Sequence, residues 1–405
     1  MATYDSYKDS GVKWLGQIPS HWELKKLRAF FDEVSEQNLS RKSSNQLQFK
    51  YGTIVPKQDQ SVDKDVWNTI SKYTLVEPGD IIINGLNLNY DVISQRIGIV
   101  REEGVITSAY VSIRPKSLAS AKFYEYLLKA LDARKTFHGF GTGVRATLAW
   151  KELKHKLLPV VPFVEQEAIV AYLDKVTGEI DRAIEAQQKM IDALNERKQI
   201  IITRAVTRGL NPDAPLRDSG IDWLGQIPAH WICTKLKYFI KIKSGDAIVN
   251  SELTDNGTYP VFGGGEMMGR SNNYNVAPGN IVVGRVGARC GCVTPIVENS
   301  WATDNALVIT PLDIQIDYLI YVLHGADLNK IASTNAQPLL TGTKVKNTFI
   351  PVPTFEEQIV IANQLNKRCE EVNEAIANCE RMITLLTERK QIIINEVVTG
   401  KKKVI

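Results

Sequence analysis

The residues that could perform chemistry form few of the groupings that an enzyme needs. "FHGFG" at Phe137–Gly141 fits the F-x-G-x-G loop of S-adenosylmethionine-binding methyltransferases. That loop follows a strand and opens a helix, whereas this copy follows a helical pattern, which favours a glycine-rich surface loop. The sequence has no Asn/Asp-Pro-Pro-aromatic tetrapeptide and no G-x-x-x-x-G-K-[ST] phosphate loop. The chain is therefore predicted to be non-catalytic.

Metal chemistry has equally little support. The five cysteines are odd in number and scattered, which is typical of a reducing compartment without disulfides. Cys290 and Cys292 form a C-x-C, but no nearby His or further Cys completes a tetrahedral site, so no metal is predicted. His21 and His230 each precede a tryptophan, and a structural role beside it is the favoured interpretation.

Composition and charge leave the partner open. The net charge of +4 and the pI near 8.6 are compatible with nucleic acid without indicating it. No apolar run reaches the roughly 18 residues of a membrane span, and the N-terminal residues lack the apolar core of a signal peptide. A cytoplasmic location is expected.

The chain is a tandem duplication. Asp9–Phe31 and Asp218–Ile240 are identical at 14 of 23 positions, with "DSGVKWLGQIPSHW" against "DSGIDWLGQIPAHW". A second pair of matching blocks lies further along, with "PVVPFVEQ" from Pro159 against "PVPTFEEQ" from Pro351. The first pair is offset by 209 residues and the second by 192, so the first half carries 17 more residues between its blocks (209 − 192). A period of this length indicates duplicated domains.

The second pair of blocks leads into two long segments with helical patterns. Apolar residues recur every three or four positions from Ile169 to Ile201, including Met190/Ile191, and again from Leu365 to Ile393, including Met382/Ile383. This spacing over about five heptads predicts a coiled-coil-like seam. Two such helices in one chain are expected to pack against each other.

The segments between the blocks predict sheet. Asn45–Pro115 and Lys243–Pro311 contain short β-branched runs separated by Gly, Asn and Pro. A short helical pattern follows each one, from Ala121 and from Asp317. The fold class is therefore predicted as α+β, with two β-rich, mixed α/β domains.

Both inserts carry polar loops suited to DNA. Arg and Lys can donate to guanine, Asn and Gln can bond bidentately to adenine, and Gly lets the backbone approach phosphates. Such residues are also what ordinary loops contain, but the same pattern occurs in both inserts. The loops are Ser40–Gly52, Asn84–Arg96, Gly139–Arg145, Phe262–Asn275, Gly284–Gly291 and Gln337–Lys344.

The whole chain resembles the specificity subunits of type I restriction–modification systems. The resemblance rests on the two domain openers, on "PVVPFVEQ" and "PVPTFEEQ", and on "VFGGGEMMG", "NIVVGRVGARCG" and "WATDNALVI". It implies two target recognition domains held apart by two long antiparallel helices, each domain reading one half-site of a split, asymmetric target. Residues 1–158 and 210–350 would form the recognition domains, and 159–209 and 351–405 the helical spacers. The helices would set the gap so that both domains meet major grooves about one turn, roughly 34 Å, apart.

The resemblance also implies partners. Two modification subunits would supply S-adenosylmethionine and adenine-N6 methylation, and restriction subunits would supply ATP- and Mg-dependent translocation and cleavage; this chain would bind none of these cofactors. Segments Glu165–Leu173 and Glu357–Leu365 would dock the modification subunits. The DNA contacts predicted in the second domain are Lys243, Arg270, Asn273, Arg285 and Thr341. The first domain departs from the family pattern, with "IIINGLNLNY" in place of "IVVGRVGARC", and its predicted contacts are Lys50, Asn87, Asn89, Arg96 and Arg145.

Two alternatives stay open at this stage. A coiled-coil adaptor would bind proteins without DNA specificity. A fused restriction–methyltransferase would need catalytic motifs for which two inserts and two long helices leave no room.

Overall fold

The chain divides into two compact units. The computed structural model describes residues 2–50, 52–60, 63–88, 95–116, 120–141, 147–333 and 338–404. The first unit comprises Met1–Ala186 with Met382–Ile405, and the second comprises Gln187–Arg381. Both boundaries fall inside the long helices, so each unit contains parts of both helices.

The first unit is rich in short strands. Its elements in chain order are β1 (Tyr7–Asp9), β2 (Gln17–Pro19), β3 (Glu23–Lys26), β4 (Phe31–Glu33), β5 (Leu47–Lys50), β6 (Thr53–Pro56), α1 (Lys64–Ile70), β7 (Thr74–Val76), β8 (Ile81–Ile83), β9 (Ile97–Ile99), β10 (Gly104–Ile106), β11 (Val111–Pro115), α2 (Ala121–Ala133), α3 (Trp150–Leu153), β12 (Leu157–Val160) and the start of α4 (Phe163–Arg208).

The second unit repeats this plan. After the end of α4 come β13 (Leu216–Asp218), β14 (Gln226–Pro228), β15 (Ile232–Lys235), β16 (Ile240–Ser244), β17 (Tyr259–Gly263), β18 (Glu266–Ser271), β19 (Ile281–Gly284), β20 (Val293–Pro295), β21 (Trp301–Ala302), β22 (Ala306–Pro311), α5 (Ile316–Gly325), α6 (Gly342–Asn347), β23 (Phe349–Val352) and α7 (Phe355–Val398). The predicted β-rich inserts, the short helix after each and the two long helices are confirmed.

Each unit contains a four-stranded antiparallel sheet with the same topology. The strand order is β4-β11-β8-β9 in the first and β16-β22-β19-β20 in the second. The register is also the same, because Ile81 lies opposite Ile113 and Ile281 lies opposite Ile309. The central strands are buried on both faces, as their β-branched runs require. The two halves therefore share a scaffold although their inserts share little sequence.

The long helices run antiparallel within each unit. In the first unit the end of α7 reaches the domain opener, where a Cβ on Gly400 would lie 2.9 Å from Cη2 of Trp22. In the second unit the end of α4 does the same, and a Cβ on Gly209 would lie 3.1 Å from Cζ2 of Trp231. Both glycines have positive φ (74° and 72°), which suits the left-handed residue that ends a helix.

Polar bonds between the helices differ between the units. In the first unit Lys390 Nζ donates to Asp181 Oδ1 over 2.7 Å, and in the second Lys198 Nζ donates to Asn373 Oδ1 over 2.8 Å. Met190 and Met382 are about half exposed (53% and 47%), so these two members of the predicted seam do not face it. Neighbouring residues on a helix point about 100° apart, and at the first pair Ile191 takes the buried position.

Within the described ranges, no helix combines the length and apolarity that crossing a bilayer requires.

Candidate nucleic-acid interface

The duplicated sequence blocks meet in space through a glutamate. In the first unit the Glu165 carboxylate accepts hydrogen bonds from Tyr4 Oη, from His21 Nε2 over 3.0 Å and from Trp22 Nε1 over 3.1 Å. Burial, together with the Glu165 carboxylate, raises the pKa of Tyr4, so this hydroxyl keeps its proton and acts as the donor. The carboxylate is thereby satisfied inside a buried site. We call this cluster the glutamate clamp.

The second unit repeats the clamp. The Glu357 carboxylate accepts from His230 Nε2 and from Trp231 Nε1, both over 3.0 Å. Each clamp joins the "HW" of a domain opener to the glutamate that begins a long helix. The structural interpretation of the two histidines is therefore supported, because their ring nitrogens orient this joint.

The glutamine that follows each clamp glutamate fixes a different element. Gln166 Oε1 accepts from the Ser120 N–H over 2.9 Å, and Gln358 Oε1 accepts from the Gln315 N–H over 2.9 Å. Ser120 and Gln315 are the N-caps of α2 and α5. The repeated "EQ" dipeptide thus holds the opener, the long helix and the short helix of each unit in one arrangement. The position of each sheet relative to its own helices follows from this arrangement.

Lys243 and Arg285 lie at the same end of the sheet in the second unit. Lys243 is exposed near the end of β16, and Arg285 directly follows β19. The Arg285 N–H donates to Asn305 O over 3.0 Å, and its Nη1 reaches Ser244 Oγ over 3.4 Å. Its Nε is buried and has no hydrogen-bond partner among the described residues. The buried Nε cannot reach an outside acceptor, but the terminal nitrogens, whose one hydrogen bond within the described ranges is the long contact of Nη1 with Ser244, can donate to one.

Thr341 lies beside Arg285, and its hydroxyl oxygen accepts a hydrogen bond from its own chain. The Leu340 N–H donates to Arg285 O over 2.8 Å, and Thr341 Oγ1 accepts from the Lys344 N–H over 3.3 Å as the N-cap of α6. This residue positions the loop that follows the sheet end.

Arg270 and Asn273 lie on the hairpin formed by β17 and β18. Arg270 Nε donates to Gly257 O over 2.7 Å and its Nη2 to Thr258 O over 2.6 Å, so two of its five N–H donors bind the segment that precedes β17. The Asn273 side chain is exposed just beyond β18. Of these two, Asn273 offers the more available hydrogen-bonding group.

The glycines near the sheet end allow the protein's own segments to approach each other. A Cβ on Gly284 would lie 2.2 Å from Arg289 O and 2.3 Å from Gly264 O. A Cβ on Gly265, whose φ is +98°, would lie 2.8 Å from Cys292 Cβ. These glycines were expected to let the backbone approach phosphates. The approach that the structure shows is between two loops of the same unit.

Replacing Gly284 by alanine is expected to lower the free energy of unfolding of the second unit by about 1–3 kcal/mol, because two carbonyl oxygens would have to move. Gly342→Ala is the matched control, since its Cβ would meet only ordinary contacts at 3.6 Å or more from Ile242. Chemical denaturation of both variants measures the difference. Equal stability of the two variants would contradict the packing role of Gly284.

In the first unit, Lys50 is exposed at the end of the β5–β6 hairpin. It lines an open groove of about 590 Å³ together with Gln48, Lys57 and Gln58. Gln48 lies in the predicted loop Ser40–Gly52, whereas Lys57 and Gln58 were missed. The alternation of polar and apolar residues in "QLQFK" indicates that Gln48 and Lys50 share one face of the strand, but it gives no signal for Lys57 or Gln58.

Arg96 holds a loop of the first unit together. It is only 7% exposed, and its guanidinium donates to the carbonyl oxygens of Asn84 (2.9 Å), Leu86 (2.7 Å) and Asn87 (3.3 Å). These bonds direct the Arg96 guanidinium to its own loop, which gives this predicted DNA contact a structural role as well. Asn87 is exposed on this loop with φ +51°. Asn89 and Arg145, the other two predicted contacts, lie outside the described residues.

Equivalent positions at the two sheet ends carry different chemistry. The Leu148 N–H donates to Gly85 O over 2.9 Å, as the Leu340 N–H does to Arg285 O. Gly85 therefore occupies the place of Arg285. A Cβ there would lie 2.1 Å from Leu148 O, so the first unit has no side chain at this point. One backbone arrangement thus presents a cation in one unit and none in the other.

The described residues contain no group of three or more His, Cys, Asp and Glu that could hold a metal ion. Burial raises the pKa of the Cys290 thiol, whose Sγ donates to Arg285 O over 3.3 Å. The "FHGFG" segment follows helix α2, and Phe137 is buried in the core of the first unit.

Known proteins match this sequence and fold. Residues 228–378 match the family model of the type I restriction modification DNA specificity domain. A putative type I restriction enzyme MjaX specificity subunit from Methanocaldococcus jannaschii is 22% identical over 98% of both chains. The EcoprrI specificity subunit from Escherichia coli is 33% identical over 32% of this chain and 34% of its own.

Residues 228–378 form a type I restriction modification DNA specificity domain, and the chain is similar to specificity subunits along its whole length.

A solved structure has the same fold as this chain. A chain described in a study of complex assembly and conformational transition of the type I R-M system has a TM-score of 0.70 and 16% identity. The match covers 94% of this chain and 98% of the other. The relatives from Methanocaldococcus jannaschii that match 98% of this chain are both specificity subunits.

Proposed function

We propose that this chain is a specificity subunit that reads a bipartite, asymmetric DNA target, with each unit reading one half-site. The observation that carries the proposal is the repeated scaffold with unlike residues at the same sheet end, Gly85 in one unit and Arg285 in the other. Identical scaffolds place two readers in equivalent poses, and unlike residues make the two half-sites different. A symmetric target would be expected only if both units presented the same groups.

In the second unit, Lys243, Asn273 and Arg285 are the proposed reading residues. Arg285 has the geometry to donate to guanine O6 and N7, and the Asn273 amide to bond adenine N6 and N7. Lys243 lies close to Arg285 and would contact phosphate, which fixes the register of the unit on the duplex. Arg270 and Thr341 support these groups from the protein side.

In the first unit, the proposed contacts are Lys50, Asn87, Gln48 and Gln58. Lys50 supplies charge, and the glutamine and asparagine amides supply adenine-type readout. Asn89 and Arg145 stay in the proposed set. Arg96 acts indirectly, since it fixes the loop that presents Asn87.

The proposed partners are double-stranded DNA, two modification subunits and the restriction subunits, in the cytoplasm. The segments Glu165–Leu173 and Glu357–Leu365 were expected to dock the modification subunits, but many of their side chains are buried in the units. Exposed apolar side chains occur at the start of each long helix, at Val164 (75% exposed) and Phe355 (53%). We place the docking surfaces at these helix starts, once in each unit.

Selection from randomised duplexes tests the proposal. The chain assembled with its modification subunits is expected to enrich two short sequence blocks separated by a fixed gap. Scrambling either block should lower the affinity about 10³-fold, towards the non-specific level, since each unit would then lose its base contacts. Enrichment of one contiguous block would contradict half-site reading. The absence of any enrichment would favour a protein-binding adaptor.

A further inference from the structure

A groove in the second unit contains three arginines without charge partners. It has a volume of about 580 Å³ and lies between the end of α4, the segment that follows it and α7. Arg204, Arg208 and Arg368 line it and are all exposed. Within the part of the chain that the structure describes, none of the three makes an ion pair or a side-chain hydrogen bond. We call this site the arginine groove.

The carboxylates near the groove do not neutralise it. Glu357 lies beside the groove, since its Oε1 would lie 3.7 Å from a Cβ on Gly209, but this carboxylate already accepts from His230 and Trp231. Asp222 lines an adjoining cleft that Arg204 and Arg208 also line. It makes no ion pair with either arginine among the described residues. The groove therefore has a net positive charge that an anionic group could balance.

The arginines do not belong to the repeated scaffold. At the offset of 192 residues that aligns the long helices, Arg204 corresponds to Glu396, and Arg368 corresponds to Val176. Arg208 corresponds to Gly400. The first unit has Glu396 at one of these positions and Lys401, Lys402 and Lys403 after the end of α7, so its charges differ from those of the arginine groove. A ligand that needs all three arginines is therefore expected to bind once per chain.

Apolar side chains share the groove with the arginines. Ile200 is 58% exposed, Leu210 40% and Leu216 39%. A DNA backbone offers phosphates but little apolar surface to cover these side chains. A peptide that combines carboxylates with aliphatic side chains satisfies both parts of the groove, because Arg binds carboxylate bidentately and the aliphatic groups exclude water.

We propose that the arginine groove binds an acidic, aliphatic-containing segment of a partner protein, one segment per chain. This binding is separate from the proposed reading of DNA, which uses the sheet ends and not this groove. Substitutions that remove the positive charge of the groove should therefore leave DNA specificity unchanged.

The probe is a fluorescein-labelled peptide of alternating acidic and leucine residues, titrated with the full-length chain. Its matched control peptide carries Gln and Asn in place of Glu and Asp. Fluorescence anisotropy is expected to show one binding site per chain for the acidic peptide, with affinity that falls as salt rises. The double variant Arg204→Glu/Arg208→Glu should bind it at least about tenfold more weakly. Arg197→Glu, an equally exposed change on α4 outside the groove, should bind like the parent chain.

Three results would overturn the proposal. Equal binding of both peptides would show that the charges do not matter. Equal weakening by Arg197→Glu would indicate a general charge effect. If the parent chain does not bind the acidic peptide but the double variant loses affinity for a non-target duplex, the groove is a DNA-backbone surface. Thermal unfolding of each variant checks that it is folded, and Arg204→Lys/Arg208→Lys should retain more binding than the glutamate pair. The duplex-selection experiment remains a separate readout of DNA reading.

Discussion

Replacing Arg285 by alanine is expected to weaken binding of the assembled complex to its target by about 10- to 100-fold, corresponding to about 1–3 kcal/mol. The loss should come from one half-site only and should relax the preference at one base pair within it. The physical reason is that Arg285 is held at the end of the sheet by the Asn305 and Leu340 backbone while its guanidinium has little bonding to the protein. Competition binding with single-base variants of the target measures both effects.

Lys237→Ala is the matched control for this charge. It removes an exposed cation from the same unit, away from the sheet end, and is expected to leave base preference unchanged. If Arg285→Ala weakened binding to all sequences equally, Arg285 would be a phosphate contact instead of a base contact. If it had no effect on binding, the sheet end would not be the reading surface.

Replacing Trp22 by alanine is expected to destabilise the first unit by about 3–5 kcal/mol, the largest stability effect that we predict. The indole is fully buried, packs against the end of α7 at Gly400 and donates Nε1 to Glu165. Alanine would leave a cavity and remove one of the three donors of the buried clamp carboxylate. Chemical denaturation gives the size of the effect, and hydrogen exchange shows whether it is confined to the first unit.

Trp67→Ala serves as the comparison. Trp67 is only partly buried and lies under the Arg41 guanidinium at 5.3 Å, an interaction worth about 0.5–1 kcal/mol at an exposed site. The destabilisation should therefore be much smaller than for Trp22. Similar losses for both tryptophans would mean that the clamp does not organise the first unit.

The duplication could be read from the sequence because both of its signals are local. The block ending in "HW" and the block containing "EQ" repeat almost unchanged, and apolar residues follow a helical period over more than forty residues. The contacts that join the two repeated blocks within each unit could not be predicted. The bonds that join them, such as the one from Trp22 to Glu165, connect residues 143 positions apart and depend on the folded chain.

The segments that form the candidate interface could be predicted from the sequence better than the individual residues available for contact. Arg285 follows a strand with a clear β-branched pattern, and the structure places it at the sheet end with free bonding capacity. Arg96 is also an arginine in a polar loop, yet its guanidinium donates to three carbonyl oxygens of its own loop. Residue type gives the chemistry that a side chain can perform, but burial and neighbouring acceptors decide whether that chemistry is available.

The central claim is that this chain directs a methyltransferase to a split target without performing catalysis itself. The most direct test is the adenine methylation pattern of a cell that expresses this chain, with and without its cognate modification subunit. We expect methylation at two short half-sites separated by a fixed gap, and only when the modification subunit is present. Methylation by this chain alone, or at a contiguous motif, would contradict it.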